Sequence, residues 1–260
     1  MQTSTWSRAR RWYGGCMRMA LPLVLLLSSG ACVSTEDIKT ATALRELGIS
    51  YLNEGNNEAA LRELLRAKEL NPRDARIRHE VALAFFAKGL PAKAETEFKA
   101  AIKLDPKLSE ARLNLASMYL SLERYDEAVE QLKLVTEDYL YRSPARAWNN
   151  LGWTYYKQGR IPEAMGAYQQ ALRIAPNFCQ ALHNVALVHS DRKELENAVA
   201  FSEKAVQTCP EDLRFRLQLA MTQAALKRID DATSNLQLVV EKDPVGRLGA
   251  QAREALRTVQ

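Results

Sequence analysis

From Ala41 to the C-terminus, apolar and small residues return every three or four positions, the spacing of one face of an α-helix, and nowhere alternate with polar residues as a strand requires. The stretch Ala145 to Pro176 shows this most clearly. Trp148, Leu151, Gly152 and Tyr155 mark a first helix, Ala164, Tyr168 and Ala171 a second, and Pro176 closes the pair. Similar spacings recur with a period of about 34 residues. Anchored on its closing proline, the first copy (41–74) carries Leu44, Leu47, Gly48, Tyr51, Gly55, Ala60, Leu64, Ala67 and Pro72, and the second (75–108) carries Val81, Ala82, Phe85, Gly89, Ala94, Phe98, Ala101 and Pro106.

The third copy (109–144) keeps Leu115, Ala116, Tyr119, Ala128 and Leu132, but it lacks the proline and contains two extra residues within Asp138 to Pro144. After the fourth (145–178), the fifth (179–212) has Val185, Ala186, His189, Ala198, Ala205 and Pro210, and the sixth (213–246) has Leu219, Ala220, Ala232, Leu236, Val239 and Pro244. The tail 247–260 has one apolar stripe, Leu248, Ala252, Ala255, Leu256 and Val259, with Arg247, Arg253 and Arg257 elsewhere. It reads as the polar-backed helix that covers the last open face of a stack.

The fourth copy, W-x2-L-G-x2-Y followed by a small and aromatic second helix and a proline, resembles a tetratricopeptide unit. The expected fold is therefore all-α: a right-handed superhelical solenoid of six tetratricopeptide repeats plus a C-terminal capping helix. Local chemistry agrees. Asp74, Ser109, Ser143 and Asp212 are good N-caps near first-helix starts, Pro144 suits a first turn, and Pro91 and Pro162 open second helices. Gly55, Gly89 and Gly159 fall in the turns within pairs, where a left-handed residue is needed.

First helices carry a second apolar stripe: Ile49 and Leu52, Leu83 and Phe86, Leu113 and Leu120, Trp153 and Tyr156, Leu187, Leu217 and Met221. First helices line the concave face of a tetratricopeptide superhelix, so these residues are expected to form an apolar groove for a partner helix or extended segment, with Trp153 and Tyr156 as anchors. The alternative is that the aliphatic members pack against neighbouring repeats. Arg45, His79, Arg146, Asn149 and His183 face a similar way, but their dispersal over four repeats argues against a converging carboxylate clamp.

His79, His183 and His189 lack metal-ligand spacing, and no nucleophile elbow or phosphate-cradling loop occurs. No catalytic site, metal, cofactor or small-molecule substrate is expected. Cys179 and Cys209 fall at the start and the end of one antiparallel helix pair, which brings them together at one end; they read either as a disulfide in an oxidising compartment or as two semi-buried thiols.

The N-terminus changes the setting. Arg8, Arg10, Arg11 and Arg18 precede the apolar run Leu21 to Leu27, which is followed by Ser28, Ser29, Gly30, Ala31 and then Cys32. Residues 1–31 have the layout of a secretory signal, too short for a convincing membrane span. Gly-Ala-Cys resembles a bacterial lipobox, which implies diacylglycerol and N-acyl lipid, palmitate among them, on Cys32; ordinary cleavage near Ala31 is the other reading, and Ser29 stands where the lipobox prefers Leu. Residues 32–40 are then expected to be a lipid-anchored linker. Val33, rather than an aspartate, favours the outer membrane, with the solenoid facing the periplasm. Removing the four arginines upstream of Cys32 lowers the formal charge from +5 to +1, which leaves no support for nucleic-acid binding.

A lipobox ahead of six tetratricopeptide units is similar to the type IV pilus pilotin family of outer-membrane lipoproteins, with the social gliding motility branch nearest. The irregular junction from Tyr139 through Leu140, Tyr141, Arg142, Ser143 and Pro144 to Asn149, Asn150, Leu151 and Gly152 resembles a tyrosine- and proline-bearing insertion in that family. The resemblance implies binding of the outer-membrane secretin subunit and promotion of its assembly and multimerisation, for pilus biogenesis and pilus-dependent motility. The other reading is a general envelope adaptor for cell-wall enzymes or outer-membrane protein assembly.

Overall fold

A computed structural model describes residues 33–259, which form thirteen α-helices and no strand. The expected signal peptide and the lipidation site Cys32 lie outside the described residues. Helices pair along the chain: α1 (Thr35–Asn53) with α2 (Asn57–Leu70), α3 (Ala75–Ala87) with α4 (Pro91–Leu104), α5 (Ser109–Ser121) with α6 (Tyr125–Thr136), and α7 (Pro144–Lys157) with α8 (Ile161–Ile174). Then come α9 (Cys179–Asp191) with α10 (Leu195–Thr208), α11 (Leu213–Ala225) with α12 (Ile229–Lys242), and a final α13 (Arg247–Val259).

Each helix packs on its sequence neighbours. First helices α1, α3, α5, α7, α9 and α11 also meet one another in series, and α13 extends that row, whereas no second helix meets another second helix. Crowding on one side and separation on the other curve the stack, with the first helices inside. Close approach within pairs depends on small residues: a Cβ on Gly48 would fall 2.5 Å from Leu64 Cγ, and one on Gly152 would fall 2.7 Å from the Tyr168 ring. Leu64 and Tyr168 are both fully buried, so neither yields easily.

The turns within pairs are left-handed at one recurring position. Gly55, Gly89 and Gly159 adopt φ of 76°, 73° and 74°, and Glu123, Lys193 and Lys227 occupy the equivalent places with φ of 58°, 62° and 59°. Asp74 and Asp212 cap α3 and α11 through their side chains, the former to the amides of Arg76 and Ile77, the latter to that of Arg214.

Two expected caps differ. Ser143 sits at the N-cap of α7 without a side-chain hydrogen bond. Ser109 is the first residue of α5, and its hydroxyl donates across 2.5 Å to Asp138, pinning the irregular segment that follows α6.

The stretch expected as a linker is also largely helical, because α1 begins at Thr35. Ser34 accepts from the Asp37 amide while the Asp37 carboxylate accepts from Ser34, a reciprocal cap that nucleates the helix earlier than the apolar repeat suggests. Polar contacts then stitch helices within and between repeats. Lys68 and Arg78 both reach the Glu97 carboxylate at 2.8 Å, and Arg124 reaches that of Glu95 at 2.6 Å. The Arg124 hydrogen bond, with help from Lys99 and Tyr119, holds Glu95 down at about 2, so this carboxylate stays ionised. No helix among the described residues is long and apolar enough to cross a membrane.

Candidate functional site: the inner face of the helix stack

The inner row is tied together by polar pairs offset by 35 residues, one repeat plus one position. Asn184 donates to Asn149 at 2.9 Å in a buried setting, and Asn114 Nδ2 lies 2.8 Å from His79 Nε2. His79 and Asn149 are therefore buried and engaged within the row. Arg45 and His79 line one space, whereas Arg146, Asn149 and His183 stand outside it, so the five together do not form a clamp.

The expected groove residues divide. Leu113 is fully buried in the central cluster, a correction to its place in the groove; an inner-row helix has a first helix on each side, and a side chain between them can be covered completely. Met221 is exposed, and Ile49, Leu52, Leu83, Phe86, Leu120, Trp153, Tyr156, Leu187 and Leu217 are half-buried. Among the latter, Leu83, Phe86, Leu120 and Tyr156 rest against the central cluster, Leu52 against the N-terminal one and Leu217 against the C-terminal one. Each thus offers part of its surface to solvent and part to packing.

Trp153 and Tyr156 stack obliquely with ring centroids 5.2 Å apart, and Lys157 Nζ stands 6.0 Å from the Trp153 ring centre. The Tyr156 hydroxyl donates to Asp191 at the end of α9. Desolvation first, and then this acceptor, push the phenol up to about 12, so it remains a neutral donor that fixes one edge of the aromatic pair.

Leu187, Leu217 and Met221 converge on a cavity of about 550 Å³ between α9, α11 and α13, completed by Leu248 and Ala255 and edged by His183 and Arg214. The walls are mainly apolar, as suits a buried side chain of a ligand. His183 packs on Phe215 with centroids 4.8 Å apart, and its Nδ1 has no partner. Burial, and secondarily Arg214, hold this imidazole down at about 4 against the opposing effect of Asp212. It is neutral near pH 7 and compatible with an apolar occupant.

Leu248 and Ala255 were legible only as the packing stripe of a cap. The cap's junction shows why they also face the cavity: the Gly249 amide donates to Asp243 at 3.0 Å, and the helix lies against both α12 and α11. Elsewhere Cys179 and Cys209 are joined as a disulfide, Cα atoms 6.2 Å apart, closing the open end of the α9–α10 pair. Among the described residues no group of three or more His, Cys, Asp or Glu could hold a metal ion.

Comparison with known proteins agrees with this architecture. Models described as tetratricopeptide repeat match residues 45–109, 85–140, 145–178 and 179–209, together more than half the chain. The type IV pilus assembly protein PilF of Pseudomonas aeruginosa is 27% identical over 188 residues, spanning 68% of this chain and 75% of that protein. A solved structure of P. aeruginosa PilF superposes with a TM-score of 0.71 at 24% identity, covering 85% of this chain and 99% of the other. The crystal structure of PilW, a widely conserved type IV pilus biogenesis factor, gives a TM-score of 0.73 at 19% identity, with 84% and 97% covered. The chain belongs to the tetratricopeptide-repeat proteins and is related to the PilF and PilW type IV pilus biogenesis factors.

Proposed function

We propose that this chain is a non-enzymatic, lipid-anchored scaffold of type IV pilus biogenesis that holds a subunit of the outer-membrane secretin in its inner groove and promotes multimerisation. The observation that carries the pilus role is the relation to PilF, which extends over most of both proteins. The binding mode rests on the half-exposed apolar row, with Trp153 as an aromatic anchor and the cavity at Leu187, Leu217 and Met221 as a receptor for an apolar side chain. Holding an unassembled subunit at the membrane would raise its local concentration and cover a surface prone to aggregate.

The anchor is assigned to acylated Cys32 at the periplasmic face of the outer membrane, with Val33 after it. Labelling with a palmitate analogue should tag the wild-type protein; a tag that survives Cys32→Ala overturns the anchor. For the groove, secretin multimers are compared on denaturing gels in a deletion strain complemented with wild type, Trp153→Ala or Leu217→Glu. The expected result is loss of multimers with either variant at normal protein level. Multimers and pili formed without the protein would refute the role altogether.

A further inference from the structure

Three arginines from distant parts of the chain line one further cavity, of about 420 Å³: Arg45 on α1, Arg76 at the start of α3 and Arg142 in the irregular segment before α7. His79, Glu80 and Glu110 share its walls. Most arginines that pack near carboxylates here make ion pairs, as Arg62, Arg78, Arg124, Arg160 and Arg228 do. Among the described residues Arg45, Arg76 and Arg142 make none, despite the two glutamates in the same walls, and Arg45 Nε is shielded from water with no hydrogen-bond partner. Three guanidinium groups around one space, none of them paired with a carboxylate, leave it suited to accept an anion.

We propose that this cavity binds a side-chain carboxylate of an acidic, leucine-bearing peptide segment of a partner protein. A carboxylate accepts two parallel N–H groups from one guanidinium and further bonds from others, a charge-assisted match for this donor set. Its surroundings favour a peptide over a small free anion. Leu140, 83% exposed, and Arg142 line the adjoining recess, with the fully exposed Tyr139 next to Leu140 in sequence. Ile49 lies one helical turn beyond Arg45, and Leu83 one turn beyond His79. A ligand with carboxylate and apolar side chains covers both kinds of surface at once. The assignment rests on the inner face being the partner surface, and adds the sign of the charge recognised by the first three repeats.

The test is fluorescence anisotropy of the full-length protein in detergent with a short labelled peptide in which Glu alternates with Leu, beside its Gln-for-Glu twin. The glutamate peptide should bind roughly tenfold or more tightly than the twin, a difference of about 1.4 kcal/mol. Its affinity should fall with added salt, and by several-fold in Arg76→Gln and Arg142→Gln, whose side chains are exposed and leave helicity intact. Equal binding of the two peptides, or unchanged affinity in the Arg76→Gln/Arg142→Gln double variant, overturns the proposal. Displacement by inorganic phosphate at concentrations matching the peptide also overturns it, by assigning the cavity to a small anion. If multimer formation still depends on Trp153 and Leu217 while the arginine variants bind normally, the groove reading stands and only this inference falls.

Discussion

Asn184, on α9, donates its side-chain amide to Asn149, on α7, across 2.9 Å in a place closed to water. Removing one member leaves the group it engaged on the other buried without that partner, at a cost of about 1–3 kcal/mol, although Asn184 still accepts from Gln180 and Asn149 still donates to Asn150; removing both removes the need for this bond. Asn149→Ala and Asn184→Ala should each destabilise by that order, and the double variant by clearly less than their sum. Urea unfolding of the four proteins measures the coupling; strict additivity would mean that the pair does not connect the helices energetically.

The recurring left-handed turn makes a prediction of opposite sign. Glu123, Lys193 and Lys227 hold φ near 60°, where a side chain costs about 1 kcal/mol that glycine avoids. Replacing each by glycine should stabilise the chain by about 0.5–1 kcal/mol, and Gly89→Ala should destabilise it by a similar amount through backbone strain alone, because nothing lies within 4 Å of the added Cβ. Thermal melts of the single variants check both directions.

At Gly152 the obstacle is a neighbour. An added methyl would meet the Tyr168 ring at 2.7 Å and the Ala164 carbonyl oxygen at 3.2 Å, and Tyr168 is completely buried. Gly152→Ala should therefore destabilise by about 1–3 kcal/mol, with the loss read from the denaturant midpoint.

The bridge between Cys179 and Cys209 encloses the whole α9–α10 pair, so it restricts the unfolded chain over a separation of 30 residues. Reduction, or replacement of both cysteines by alanine, should lower stability by about 2–4 kcal/mol. Wild type unfolding at the same urea concentration with and without reductant would count against a contribution from the bridge.

His183 gives a pH dependence whose sign is fixed by its environment. Its folded pKa, about 4, lies below the 6.5 of an unperturbed histidine, so the unfolded chain binds the proton first as pH falls. Stability from this group is full above 6.5 and is lost as pH drops toward 4, by about 2 kcal/mol between pH 6.5 and 5. His183→Gln should flatten the profile in that window. Glu95 interferes little, because its contribution is lost as pH falls from about 4.5 to about 2, below this window.

The fold was legible because its constraints are local and repeated. Asp74 and Asp212 cap helices from their own sequence positions, and Gly152 must be small beside Tyr168 whatever the neighbouring repeat does. Glu123, Lys193 and Lys227 carry no such mark, since the turn is imposed on them by the helices on either side. For the candidate site, the apolar row could be read from helical spacing, but the burial of Leu113 and the division of labour in Tyr156 depend on contacts between repeats. Convergence of Arg45, Arg76 and Arg142 was invisible for the same reason: the residues come from three separate segments, and only the stacking brings them around one space.

The reciprocal cap at Ser34 and Asp37 sets a length as well as a helix start. Only Val33 and Ser34 intervene between position 32 and Thr35, and even extended backbone advances no more than about 3.6 Å per residue. Anything attached at Cys32 is thus held within roughly 11 Å of the first turn of α1. A lipid at that position would be a short stub in place of a leash, confining the first repeat to the bilayer surface and requiring a partner to arrive there to be captured.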